Sequence, residues 1–212
     1  MDTIKIDITR TCRVYSSPVD AGVSEIWLAL HGYGSLASEF YQTIYPAFTP
    51  HHKLLVPEGF NRFYVKGLGG KVGANWMTSE DRLADIENIH HYLSQVVDLE
   101  AVNVNAAGLN LLGFSQGATT AMRWWLSGRS PQVKKLICWA GSLPSEYQLD
   151  QLASYSVETE LYIVYGKSDP LLNDHYLEMA QELVHKRKKS RLVVFDGQHE
   201  VQTEVLRELI LT

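Results

Sequence analysis

Apolar residues along this chain fall into short continuous runs, separated by stretches with helical spacing. The runs are Ile26 to Leu30, Leu54 to Val56, Leu109 to Phe114, Leu136 to Ala140, Leu161 to Tyr165 and Leu192 to Phe195. Short runs without alternation read as strands buried on both faces, as in a parallel sheet covered by helices. Residues 3–16 differ: they alternate, with Ile4, Ile6 and Ile8 on one side, and read as one or two edge strands.

The clearest helical pattern runs from Thr78 to Val97, with Leu83, Ile86, Ile89, His90, Leu93 and Val97 on one face. Thr78 and Asp81 have the spacing of a capping box, with Asp in place of the preferred Glu. Residues 116–127, 173–187 and 200–211 carry the other main helical patterns. Glycine and aromatic residues crowd 59–76, which reads as a long loop of the kind that is often functional. Strand runs alternating with helices predict an α/β architecture: a mostly parallel central sheet with helices on both faces. No repeat, linker or composition shift divides the 212 residues, so one domain over residues 1–212 without a large cap is expected.

Composition narrows the partners. The formal net charge of -5 argues against a general nucleic-acid binder. The basic run His185-Lys186-Arg187-Lys188-Lys189 reads as the solvated end of a helix, where cations favour the dipole. Cys12 and Cys138 lie too far apart to form a disulfide framework or a metal site, and Cys138 sits in an apolar run as a core residue. No apolar stretch approaches the roughly 20 residues that span a bilayer, and the first ten residues lack an apolar signal core. A cytoplasmic protein without stable membrane insertion, monomeric or homodimeric, is therefore expected.

The chemical signal is Gly113-Phe114-Ser115-Gln116-Gly117. This is a G-x-S-x-G motif between a predicted strand and a predicted helix. The flanking glycines allow a sharp turn that thrusts the serine hydroxyl out at the carboxyl end of the sheet. A hydroxyl is a weak nucleophile at neutral pH and needs a base. Asp169 and His199 each follow a later strand run, in the chain order Ser, Asp, His, and so fall on the same rim. His199 is the expected general base, and Asp169 the residue that orients it. Asp196 follows the same strand as His199 and is the weaker choice of acid. His51, His52, His90, His91, His175 and His185 fall on predicted loops or helix surfaces and read as solvated.

Negative charge developing on the substrate oxygen needs preplaced donors. The backbone amide of Gln116 is one candidate. The amide of Tyr33, in Leu30-His31-Gly32-Tyr33-Gly34, is the other, with His31 read as support for that loop. Trp76, Met77, Trp139, Leu143 and Leu172 are the candidate pocket residues, with Phe63, Tyr64 and Leu171 nearby in sequence. Gly67 to Gly73 lacks the spacing of a phosphate-binding loop and reads as a flexible loop.

Together, Leu30-His31-Gly32-Tyr33-Gly34, Gly113-Phe114-Ser115-Gln116-Gly117, Gly166-Lys167-Ser168-Asp169-Pro170 and Gly197-Gln198-His199-Glu200 resemble the phospholipase/carboxylesterase family, from about residue 25 to the end. The resemblance implies a capless α/β hydrolase that needs no cofactor and hydrolyses small-molecule carboxylic esters or thioesters. Tyr33 stands where that family more often has leucine, and Gln198 interrupts its more usual glycine-histidine pattern. Both differences bear on substrate choice more than on chemistry. The little sequence left for a cap predicts an open site for small or medium acyl chains. Two other functions fit the same scaffold: a non-catalytic ligand-binding protein, and an acyltransferase in which an alcohol intercepts the acyl-enzyme.

Overall fold

A computed structural model describes residues 2–18, 23, 25–103 and 108–212. The strands in chain order are β1 (Val14–Ser16), β2 (Glu25–Leu30), β3 (His52–Pro57), β4 (Asn61–Tyr64), β5 (Val72–Asn75), β6 (Leu109–Phe114), β7 (Val133–Trp139), β8 (Glu160–Gly166) and β9 (Ser190–Phe195). The helices are α1 (Ala37–Ile44), α2 (Arg82–Asn103), α3 (Gln116–Leu126), α4 (Leu149–Ser154), α5 (Asp174–Lys186) and α6 (Thr203–Leu211).

Seven strands form one sheet in the order β1-β3-β2-β6-β7-β8-β9. β1 pairs antiparallel with β3, and every other pairing in this sheet is parallel. Side chains alternate across a strand, and the core divides accordingly. Ile26, Leu28, Leu30, Leu111, Leu136 and Ile163 pack with α2, α3 and α5 on one face. Trp27, Ala29, Leu112, Ile137, Trp139 and Val164 pack with α1 and α6 on the other. That double burial is why these strands appear in the sequence as unbroken apolar runs. Helices on both faces of a mostly parallel sheet give the α/β architecture that the resemblance implies.

The chain order reverses between β2 and β6, which are neighbours in the sheet with Leu30 opposite Gly113. In open parallel sheets such a reversal leaves a crevice at the carboxyl ends of the strands. The loops after β2 and β6 both open into it.

Several expectations need correction. Only Val14–Ser16 of residues 3–16 is a strand, and Ile4, Ile6 and Ile8 are more than 80% exposed. The stretch 59–76 is not a plain loop, because β4 and β5 form an antiparallel hairpin within it. That hairpin is tied to the loop after β2 by Gly34 N–H donating to the Ala74 carbonyl (2.9 Å) and Ala74 N–H donating to the Ser35 carbonyl (3.1 Å). Gly73, expected in a flexible loop, lies in β5, where a Cβ would come 2.3 Å from the Gly34 oxygen. The long helix starts at Arg82, not Thr78, and Leu83 is exposed. The residue before it, Asp81, has a left-handed backbone (φ 46°), so no capping box of Thr78 and Asp81 forms.

The basic run also differs from expectation. Arg187 is buried, and its guanidinium donates to the carbonyls of Ala153, Tyr155, Ser156 and Thr159, which it gathers at the end of α4. Among the described residues, no helix is long and apolar enough to cross a membrane.

His90 is buried, not solvated. Burial is the main cause that pulls its pKa down to about 4, and Arg129 adds to it. The native protein therefore keeps His90 neutral, while the unfolded chain takes up a proton below about pH 6.5. Stability is complete above that pH and declines as pH falls towards about 4. Denaturant midpoints should be lower at about pH 5 than at about pH 7, and His90→Gln should shrink the difference. An equal loss in both proteins would contradict this assignment.

Candidate active site

Ser115 stands between the last residue of β6 and the first of α3. Its backbone has φ 54° and ψ -119°, in a region costly for a side-chain-bearing residue. Four features hold it there. Ser115 N–H donates to the Trp139 carbonyl at 2.8 Å, and the Ser115 carbonyl accepts from Ala118 N–H at 3.0 Å. Gly113 lets α3 fold back tightly, since a Cβ there would lie 2.3 Å from the Ala118 Cα. Gly117 sits against the end of β2, where a Cβ would be 2.2 Å from the Leu30 oxygen.

The residues expected to act with Ser115 gather around it. Asp169 and His199 follow β8 and β9, whose ends are in register at Gly166 and Phe195. The backbone pairing continues beyond the strands, with Lys167 N–H donating to the Phe195 carbonyl (2.8 Å) and Ser168 N–H to the Gly197 carbonyl (2.9 Å). This brings His199 Nδ1 to 2.7 Å from Asp169 Oδ2. The other carboxylate oxygen, Oδ1, accepts from Leu171 N–H at 2.8 Å. The Asp169 side chain is 1% exposed and that of His199 22%. The acid is thus sealed in place, while the imidazole faces the cleft. The His199 ring also packs on Phe114, with centroids 4.9 Å apart.

Gly32 brings the loop after β2 against the serine, since a Cβ on it would lie 3.3 Å from the Ser115 Cβ. Tyr33 follows Gly32, and Gln116 follows Ser115, so both residues stand next to this contact. The loop is fixed by His31, which is fully buried. Nδ1–H donates to the Gly32 carbonyl (2.8 Å), and Nε2 accepts from Gly59 N–H (2.9 Å). That pattern requires the neutral ring, and burial lowers its pKa in the same sense. The sequence reading of His31 as loop support matches this arrangement.

The side chain of Gln116 was not foreseen in the sequence. Its Oε1 accepts from Trp76 N–H (3.0 Å), and its Nε2 donates to the Met77 carbonyl (2.8 Å). It thereby fastens the segment after β5 over the start of α3. The only signal for this in the sequence was an amide residue inside the G-x-S-x-G motif.

A cleft of about 590 Å³ contains Ser115, Asp169 and His199 and is lined also by Met77, Leu172, Tyr165 and Tyr176. An open groove of about 700 Å³ on another side of His199 is lined by Phe40, Phe114, Lys71 and Val201. Of the expected pocket residues, Met77 and Leu172 reach the cleft. Trp76 and Trp139 do not: both are fully buried, and their indole N–H groups donate to the His31 and Glu200 carbonyls. Leu143 packs against the core beside α3 instead of lining the cleft. Sequence reasoning also missed Arg82, Arg123 and Thr119 in the cleft wall. Thr119 Oγ1 donates to the Ser142 carbonyl (2.8 Å) and Tyr165 Oη to the Gly141 carbonyl (2.7 Å), which fixes the loop after β7.

Comparison with known proteins agrees with this architecture. Acyl-protein thioesterase 2 of Zea mays is 19% identical, with a TM-score of 0.68 over 94% of this chain and 98% of that one. Esterase PE8 is 23% identical, with a TM-score of 0.68 over 94% of this chain and 100% of that one. The carboxylesterase of Bacillus cereus is 14% identical, with a TM-score of 0.68 over 93% and 91%. At these identities the likeness establishes the fold. No curated protein matches by sequence. The family model described as Phospholipase/Carboxylesterase matches residues 19–210, nearly the whole chain, and the chain belongs to that family of esterase-type hydrolases.

Proposed function

We propose that the protein hydrolyses carboxylic esters or thioesters of small to medium acyl chain through an acyl-enzyme on Ser115. The observation that carries this reading is the 2.7 Å contact of a buried Asp169 with His199, in the same cleft as a serine held on a strained turn. Membership of an esterase family adds independent support.

In this mechanism Ser115 Oγ attacks the carbonyl carbon of the substrate as His199 Nε2 takes its proton. Asp169 Oδ2 accepts the His199 Nδ1–H bond, which fixes the tautomer and stabilises the imidazolium. The amides of Tyr33 and Gln116 receive the oxyanion, aided by the positive end of α3. Collapse breaks the bond to the leaving oxygen or sulfur, which takes the proton from His199. Water, deprotonated by His199, then attacks the acyl carbon, and the bond to Ser115 Oγ breaks as His199 returns the proton to that oxygen.

An acyltransferase would differ only in the last step, with an alcohol in place of water. The open cleft, accessible to bulk water, favours hydrolysis. A ligand-binding role without catalysis fits poorly with the Asp–His pair, since a mere pocket does not need a sealed carboxylate aimed at an imidazole.

Hydrolysis of p-nitrophenyl esters, acetyl through palmitoyl, tests the proposal. The protein should turn over the short and medium esters best, and Ser115→Ala should reduce kcat by about a thousandfold or more. Equal rates for wild type and variant would remove the serine from the chemistry, and an optimum at palmitoyl would overturn the pocket size.

Gln116→Ala tests the support of the site. It keeps the backbone amide but strands Trp76 N–H and the Met77 carbonyl. A stability loss of about 1–3 kcal/mol is expected, together with a fall in kcat. Unchanged stability in denaturant melts would mean that the bridge does not hold this segment.

A further inference from the structure

The cleft that contains Ser115 and His199 is also lined by two arginines, Arg82 and Arg123, which the proposed chemistry does not use. Both lean on one carboxylate. Arg123 Nε donates to Glu146 Oε1 and Arg123 Nη2 to Glu146 Oε2 (3.3 Å), while Arg82 Nη2 donates to Glu146 Oε2 (2.8 Å). Burial alone would raise the Glu146 carboxyl, but the arginines outweigh it and hold the group below its usual range. Two permanent cations therefore share one anion, and a positive charge is left over at this wall.

The donors are in surplus as well. Each guanidinium carries five N–H donors. Among the described residues, Arg123 Nη1 has only the Met77 sulfur, at 3.4 Å, and Arg82 engages Glu146 through Nη2 alone. The other acids nearby do not balance the charge. Asp169 is taken by His199, Asp81, in the turn before α2, is paired with Lys5 at 2.7 Å, and Asp85, one turn along α2 from Arg82, accepts from the Thr78 backbone. The chain as a whole carries -5, so a cationic wall here runs against its overall charge.

The helix sets the distance. Gln116, Thr119 and Arg123 lie on one face of α3, and the Arg123 Cα rises about 12 Å along the axis from Ser115. Helical side chains lean towards the N-terminus, which turns the guanidinium back towards the serine. Met77 spans the interval, with its carbonyl on Gln116 Nε2 and its sulfur 3.4 Å from Arg123 Nη1, and Leu172 lines the same cleft. That sequence of surfaces, a reacting serine, an apolar stretch and a cationic fork, matches an acid chain esterified at one end.

We propose that Arg82 and Arg123 recognise a carboxylate on the substrate, so that preferred substrates are esters or thioesters bearing a free carboxylate several atoms from the scissile carbonyl. This rests on the esterase reading of the cleft. Planar arginine forks pair with carboxylates in two parallel hydrogen bonds, which gives direction as well as charge.

The test is the ratio of kcat/KM for charged and neutral esters of matched length. One pair places the carboxylate on the acyl side: p-nitrophenyl hydrogen glutarate against p-nitrophenyl valerate. The second places it on the leaving group: p-carboxyphenyl butyrate against phenyl butyrate. The charged member should be favoured roughly tenfold or more in the first pair. Arg82→Gln should lower that preference about fivefold or more, and Arg82→Lys should restore part of it. Glu146→Gln should raise it, because the internal competitor is gone. Arg82, at 35% side-chain exposure, is the more tolerant site if Arg123→Gln fails to fold.

A preference confined to the second pair would overturn the acyl-side geometry. No preference in either pair, or one that Arg82→Gln and Glu146→Gln both leave unchanged, would overturn the proposal. Activity on neutral esters alone would leave the esterase reading standing while this inference fails. Inactivity on all four would remove both.

Discussion

A Cβ on Gly117 would lie 2.2 Å from the Leu30 oxygen and 2.5 Å from the His31 oxygen, so α3 is seated against the end of β2 at a distance that only glycine permits. Much of the arrangement at the rim follows from that approach. It brings the turn at Ser115 beside the loop of Tyr33, and it requires a second glycine, Gly32, where that loop passes the serine. The strain in the Ser115 backbone persists because the neighbouring strand over-determines it, through the Trp139 carbonyl on one side and the packing of Gly113 on the other.

Around this contact the polar groups form a continuous scaffold. His31 joins the loop after β2 to Gly59 and, through its carbonyl, to the Trp76 indole. Gln116 joins Trp76 and Met77 to α3. The hairpin of β4 and β5 closes the circuit by pairing with residues 34 and 35. Each bond is buried or partly buried, so loss of one leaves a polar group without water to replace it. The proposed oxyanion donors are thus rigid without making those bonds themselves. Such preorganisation is what electrostatic stabilisation of a transition state needs.

The sheet and the gathering of Ser115, Asp169 and His199 were legible in the sequence, because both depend on local signals. Strands buried on two faces must be apolar throughout, and a parallel sheet puts the residue after each strand on one rim. What depended on partners was not legible. The alternation of Ile4, Ile6 and Ile8 describes a strand's faces but not whether another strand pairs with it, and these residues lie outside any strand. Trp76 and Trp139 had the composition of pocket residues, yet each indole N–H found a carbonyl inside the protein. Arg82 and Arg123 are far apart in sequence and meet only through Glu146, so no motif announces them.

The central claim is that the strained turn, the Asp–His pair and the two flanking amides make Ser115 an activated nucleophile. A fluorophosphonate reacts with such a serine and not with an ordinary hydroxyl. Labelling of the folded protein, mapped by peptide mass spectrometry, tests this most directly. The account predicts one adduct, on Ser115, which is lost when His199→Ala removes the base. An unlabelled protein, or an adduct on another residue, would contradict it.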